Sequence, residues 1–256
     1  AFDAAIGAAT VHAVPDAASL RRRLSAWTRD LQAALEAVGI TTPVDANDQA
    51  ALAARLAVLQ RLQLLCAHRE GPFGATQVAA LIAARLRAWD ELSAWSGGAW
   101  YPGRCVMVTR NDRAARLYNG DVGVCVLVAN GVGRPLLQVA FEHAPDAASV
   151  AGDAVGAGVR LLDPNTLPPH EAAFALTVHK SQGSEYERVA VLLPPDAASP
   201  MLVRQMLYTG LSRAKTALEL WAIRESAEKA VLTRLARHGR LAERINRATD
   251  GMSSGV

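Results

Sequence analysis

Near the start of the chain, apolar positions recur at three- and four-residue spacing. Leu20, Leu24, Trp27, Leu31, Leu35 and Val38 make one stripe along a helix, and Gly39 stops it. Residues 1 to about 57 read as helical, with Asp45-Ala46-Asn47-Asp48 capping a second helix that reaches Leu59. Arg61 to Ala67 then reads as a strand. The turn Gly71-Pro72-Phe73-Gly74 follows, and Thr76 caps a helix that the pattern carries to about Leu92. Ser96-Gly97-Gly98-Ala99 reads as a linker.

From Gly103 to about Pro169 the period changes. Short runs of β-forming residues alternate with turn signals: Arg104 to Thr109, Val122 to Ala129, Arg134 to Phe141 and Val159 to Leu162. Asn119-Gly120 and Asn130-Gly131 stand between such runs, the strongest short-range signal for a hairpin. His143 to Gly158, with its Pro, Asp and Gly, reads as a loose loop. This alternation predicts a small antiparallel barrel. Beyond it, Phe174 to Leu176, Val189 to Leu193 and Ala217 to Ala222 predict further apolar strands.

Composition sharpens the picture only in places. The chain has 256 residues, 51% of them hydrophobic, enough for one large domain or two modest ones with a sizeable core. There is no signal-peptide pattern, and the apolar runs fall well short of the roughly 20 residues of a membrane span, so a soluble, cytoplasmic protein is expected. Cys66, Cys105 and Cys125 are odd in number and lie in apolar contexts, which predicts reduced core thiols and no metal site. The net charge of +3 is mild, but its distribution is uneven. Met201 to Arg247 holds ten Lys or Arg against four acids, which fits a polyanion partner and equally, beyond Arg224, a solvated helix face.

The candidate chemistry lies in two polar runs. Ala175-Leu176-Thr177-Val178-His179-Lys180-Ser181-Gln182-Gly183-Ser184-Glu185 connects two apolar strands, and so many functional side chains on one tight connection are costly without a ligand. Tyr208-Thr209-Gly210-Leu211-Ser212-Arg213-Ala214-Lys215 leads into a third strand. Two polar loops at neighbouring strand ends predict one site at the edge of an α/β sheet. A phosphate-binding loop of the form G-x-x-x-x-G-K-[ST] is missing. Gly98 to Cys105 copies its glycine spacing, but with Arg104 for Lys and Cys105 for Ser or Thr, and it leads into a strand that offers no helix N-terminus to phosphate.

The first run resembles motif V, and the second motif VI, of superfamily 1 helicases. The strongest likeness is to the RecD-type DNA helicases, the alpha subunits of exodeoxyribonuclease V. Gln63 to Gly74, Trp100 to Arg104 with Val106 to Asp112, and Tyr118 to Gly123 add further likenesses in the family's order, from about Leu59 to about Ala230. The resemblance implies an α/β fold: a second RecA-like (P-loop NTPase-type) motor domain interrupted by a small SH3-like antiparallel β-barrel. Residues 1–102 would be the first part of the RecA-like domain with its N-terminal helices, 103–169 the barrel insertion, 170–248 the remainder with motifs V and VI, and 249–256 a disordered tail.

The implied activity is that of an ATP-dependent 5′-to-3′ DNA helicase subunit in a double-strand-break repair and recombination complex. The chain would be its C-terminal motor and single-stranded-DNA-tracking portion, inactive alone. ATP with Mg2+ would be completed by an N-terminal helicase domain, and the partners would be single-stranded DNA and the beta and gamma subunits. By resemblance Arg213 is the catalytic arginine that reaches the γ-phosphate. Gln182, Gly183, Glu185 and Arg69 would bind nucleotide, with Glu185 accepting from the ribose and Arg69 open to either nucleotide or DNA phosphate. Thr177, His179, Lys180 and Arg110 would bind DNA. Close relatives would carry Asn on the helix after the Arg69 loop, where this chain has Ala79. A stand-alone RecD-like or relaxase-linked helicase, and a non-catalytic nucleic-acid-binding module, are the alternatives. Glu185 and Arg213 argue against the module, since binding alone does not need both.

Overall fold

A computed structural model describes residues 4–6, 9–95, 98–131, 133–143 and 158–234. The loop expected at 143–158, most of it, and the tail at 249–256 lie outside these residues, as does the basic stretch beyond 234.

The core is a six-stranded sheet. In chain order its strands are β1 (Ala4–Ile6), β2 (Ala9–Ala13), β3 (Leu62–Cys66), β9 (Ala175–Thr177), β10 (Tyr186–Leu192) and β11 (Ala214–Ala222), arranged β1-β2-β11-β10-β3-β9. All neighbours run parallel except β1, which pairs antiparallel with β2 at the edge. Val189 to Leu193 are fully buried without alternation, as expected of a central parallel strand covered on both faces.

Helix α1 (Ala17–Ala37) covers one face and packs against α3 (Ala75–Arg87). Its start is set by Asp16, whose carboxylate accepts from the Ser19 amide at 2.7 Å while the Ser19 hydroxyl accepts from the Asp16 amide. Trp27 of α1 meets Trp221 of β11 edge-on, with ring centroids 5.6 Å apart. The same face buries Glu219, next but one to Trp221. Its carboxylate accepts from Arg23 at 2.5 Å, from Trp221 Nε1 at 2.7 Å and from Arg188 Nε at 2.9 Å, with His12 Nε2 at 3.4 Å. Helix α4 (Arg204–Leu211) lies on the other side, against β10, β11 and α5 (Arg224–Leu232).

A second sheet of five strands is antiparallel throughout: β4 (Cys105–Val108), β5 (Val122–Val128), β6 (Leu136–His143), β7 (Gly158–Leu162) and β8 (His170–Ala172), in the order β7-β6-β5-β4-β8. One face, with Cys105, Met107, Val124 and Val126, joins the main core. The other holds a small core of Val106, Val108, Leu117, Cys125, Val139 and Phe141. Helix α2 (Gln49–Leu56), capped by Asp48, packs on β5, β6 and β7. Among the described residues the sheet is open, with β7 and β8 as its edges.

The helical reading of residues 1 to 57 needs correction at its start. Residues 9–13 form β2, which joins the parallel sheet through Leu218↔Ala9 and Trp221↔His12. A five-residue strand has too short a period to announce itself, and its partner lies some two hundred positions away. All three cysteines are buried and free. Burial pushes the Cys105 and Cys125 thiols up to about 12, and Cys66 higher still. No described helix is long and apolar enough to cross a membrane.

Candidate functional site

The connection from β9 to β10 joins opposite ends of the sheet. Thr177 is level with Cys66 at the C-terminal end of β3, whereas Arg188 near the start of β10 is level with Leu62 at its beginning. Four residues of β3 at about 3.3 Å each separate these levels by roughly 13 Å. The segment from Val178 to Glu185, opening with a single 3-10 turn at Val178–Ser181, makes the descent. It is pinned by the fully buried Ser181, whose hydroxyl donates to the Val178 carbonyl at 2.8 Å. The polar run is therefore divided between two clusters, where the sequence had predicted one site.

The first cluster lies at the C-terminal ends of β3 and β9. Thr177 is half-buried at the head of the turn, His179 is exposed, and Lys180 is half-buried. Lys180 Nζ donates to Glu171 of β8, and Arg69, in the loop after β3, approaches the same carboxylate at 3.7 Å. Arg69 also stands 3.4 Å from Glu70, which accepts from Thr76. Resemblance had grouped Arg69 with nucleotide contacts; position groups it with Lys180. Arg110 is exposed just past β4, three residues beyond Met107, the register partner of Glu171.

The second cluster lies at the N-terminal ends of β10 and β11. Gln182, Gly183, Ser184 and Glu185 are all exposed. Gly183 has φ +87°, a conformation that a side chain disfavours, and the space where a Cβ would stand is empty to 4 Å. Arg213 follows α4 and folds back on this loop. Its Nη1 donates to the Ser184 carbonyl at 3.1 Å, Nε to the Thr209 carbonyl at 3.1 Å and Nη2 to the Ser212 hydroxyl at 3.2 Å. The Tyr186 amide donates to the Arg213 carbonyl at 2.8 Å, which staples the two runs together. Burial raises the Tyr186 phenol, against the opposing pull of the Ser184 hydrogen bond and the Arg213 charge.

All the partners of the Arg213 guanidinium are neutral, and no carboxylate pairs with it among the described residues. Its charge is thus free to meet an anion. Glu185 instead pairs with Lys215 at 3.6 Å, both side chains at least half exposed. Gly183, Ser184, Glu185 and Lys215 line one wall of a cleft of about 650 Å³. Its lining also takes in Gln49 and Leu56 of α2 and, from the second sheet and its turns, Asp121 and Glu142.

Sequence reasoning missed Glu171 and left Lys215 without a role. Glu171 lies nine residues before Lys180 on a strand of the other sheet, so no local spacing links the two. Trp100 carries the Arg104 guanidinium 4.2 Å from its ring centroid, and Tyr101 is buried in the core.

Comparison with known proteins bears on the same region. The model of the UvrD-like helicase C-terminal domain matches residues 172–220, from the end of β8 to β11, and so takes in both polar runs. The chain is 34% identical over 188 residues to the RecBCD enzyme subunit RecD of Haemophilus influenzae, covering 72% of this chain and 26% of that protein. With the RecBCD enzyme subunit RecD of Mycolicibacterium smegmatis it shares 35% over 203 residues, 75% of this chain and 31% of that protein. With the ATP-dependent RecD2 DNA helicase of Deinococcus radiodurans it shares 30% over 189 residues, 69% of this chain and 24% of that protein. The chain therefore spans less than a third of the length of these relatives. By its sequence, its parallel sheet and its matched helicase domain, the chain belongs to the RecD-type superfamily 1 helicases and corresponds to their C-terminal part.

Proposed function

We propose that this chain supplies the C-terminal motor and single-strand-tracking part of an ATP-dependent, 5′-to-3′ DNA helicase subunit. Its setting would be a double-strand-break repair complex, beside the beta and gamma subunits of exodeoxyribonuclease V. The observation that carries the reading is Arg213: a guanidinium bonded only to neutral acceptors, beside a glycine whose backbone stands open. A planar, permanently charged fork of this kind suits phosphate oxygens, and an arginine acting on a γ-phosphate contributes on the order of 10³ to 10⁵ in rate.

In this reading Arg213 is the catalytic arginine for ATP with Mg2+, Gln182 and Gly183 approach the phosphates, and Glu185 accepts from the ribose. Glu185 must first release Lys215, which costs little for so exposed a pair. These 256 residues hold no phosphate-binding loop, and in this reading a helicase N-terminal domain supplies it. Thr177, His179 and Lys180 face the single strand, with Arg69 and Arg110 on its phosphates. The second sheet is the SH3-like unit. The turn at 178–181 joins the DNA side to the nucleotide side, so hydrolysis and strand movement are coupled through it.

The test is DNA-stimulated ATP hydrolysis by this chain alone and joined to the N-terminal helicase domain of a RecD relative. Turnover only in the joined protein, lost in Arg213→Ala, supports the reading; turnover by this chain alone that survives Arg213→Ala refutes it. The Deinococcus relative is named a DNA helicase and not a subunit, which motivates a second reading, a helicase without those partner subunits. Unwinding by the joined protein with no beta or gamma subunit present would select it.

A further inference from the structure

In the free chain two of the cations proposed for strand contact are already occupied. Lys180 and Arg69 share the carboxylate of Glu171, and Arg69 also has Glu70 within 3.4 Å. Two cations face two carboxylates, so the cluster has no net charge with which to attract a polyanion. Yet it is not sealed: the side chains of Lys180 and Glu171 are 31% and 29% exposed, and that of Arg69 is 64% exposed. A phosphate offers the same kind of acceptor oxygens as a carboxylate and can reach both cations from solvent.

The two sides of the cluster also belong to different sheets. Glu171 is fixed by the pairing of β8 with β4 in the antiparallel sheet, through Met107↔Glu171. Lys180 rides on the turn that leaves β9 of the parallel sheet, and Arg69 on the loop that leaves β3. Glu171 can therefore give up its cations without disturbing either sheet's backbone, and it returns to them when the site empties.

We propose that Glu171 is a built-in stand-in for a DNA phosphate: it holds Lys180 and Arg69 in the absence of a strand and competes with the phosphate of single-stranded DNA for them. The inference rests on the reading of Lys180 as a strand contact. It adds a residue that sets how tightly, and at what salt, the strand is held. Each phosphate contact to a single strand changes the logarithm of affinity by about 0.7 per tenfold change in salt, so freeing one cation tightens binding by about fivefold at about 0.1 M salt.

The experiment is fluorescence anisotropy of a labelled oligothymidine on the 256-residue chain, across a salt series. The variants are Glu171→Gln, Lys180→Ala, Glu171→Gln with Lys180→Ala and Arg69→Ala, and Glu36→Gln, at an exposed position of α1, as a control for a change of net charge. Glu171→Gln is expected to bind about fivefold tighter, with a salt slope steeper by about 0.7. That gain is expected to vanish when both cations are removed, and Glu36→Gln is expected to stay at the wild-type value. If Lys180→Ala weakens binding but Glu171→Gln binds no tighter than wild type, the strand-contact reading survives and the stand-in falls. Equal tightening by Glu36→Gln overturns the stand-in as well. If neither wild type nor Glu171→Gln binds even at the lowest salt, both readings fall. Should Glu171→Gln melt below the assay temperature, Glu171→Ser makes the same comparison.

Discussion

Replacing Glu219 by Gln tests how α1 is fastened to the sheet. Glu219 is 4% exposed, and Arg23, Arg188, His12 and Trp221 all converge on it. Burial by itself would raise its pKa, but the hydrogen bonds from Arg23, Trp221 and Arg188 outweigh that and hold the carboxyl below its ordinary value. Gln keeps the shape, removes the charge and turns an NH2 toward guanidinium donors. Breaking a buried pair costs about 3–5 kcal/mol. Here Arg23 and Arg188 are 27% and 31% exposed, Arg188 keeps Asp30 at 2.8 Å, and both guanidinium groups also lie over tryptophan rings, so about 2–3 kcal/mol is expected. For a chain of this size that lowers Tm by roughly 5–10 °C. The sign of the pH dependence follows from the lowered folded-state pKa. The carboxylate's contribution is fully present above its unfolded value of 4.5 and is lost as pH falls through the folded value. The Tm gap between wild type and Glu219→Gln, followed by circular dichroism, should therefore be constant from neutral pH to about 5 and close as the pH falls further. A gap below 2 °C at neutral pH, or one that widens in acid, would refute the reasoning.

Three further outcomes are expected. Lys180→Ala in the joined helicase should keep its affinity for nucleotide and lose most of the DNA stimulation of its ATPase, measured with and without oligonucleotide; equal loss of both would place Lys180 on the nucleotide side. Gly123→Ala should cost about 1–3 kcal/mol in urea unfolding, because a Cβ there would stand 2.6 Å from the Phe141 ring, and Phe141→Leu should recover part of it. With thiols pushed up to about 12, Cys105 and Cys125 should resist maleimide in the folded chain at pH 8 and react only after denaturant is added, as read by mass spectrometry.

The amphipathic stripe of α1, the Asp48 cap, the strand at Leu62–Cys66 and the strands around Asn119-Gly120 were legible because each depends on residues within a turn or two of one another. The polar connection between β9 and β10 was legible for a similar reason: polar side chains crowded between two apolar strands have no local purpose in a core. β2 was not legible, because only its placement beside β11 makes it a strand. Glu171 and Glu219 were no more visible, since a carboxylate in a strand looks the same whether it meets solvent or an arginine from another element.

By itself, then, the sequence determined the local elements, the two polar runs and the family to which they belong, all of which reside in neighbouring residues and their spacing. Tertiary structure decided the rest. It divided one polar run between the two ends of a parallel sheet, carried Arg213 to the Ser184 carbonyl, and set Arg69 and Lys180 against a carboxylate from the other sheet. Charge pairing and strand register act across space, and distance along the chain does not record them.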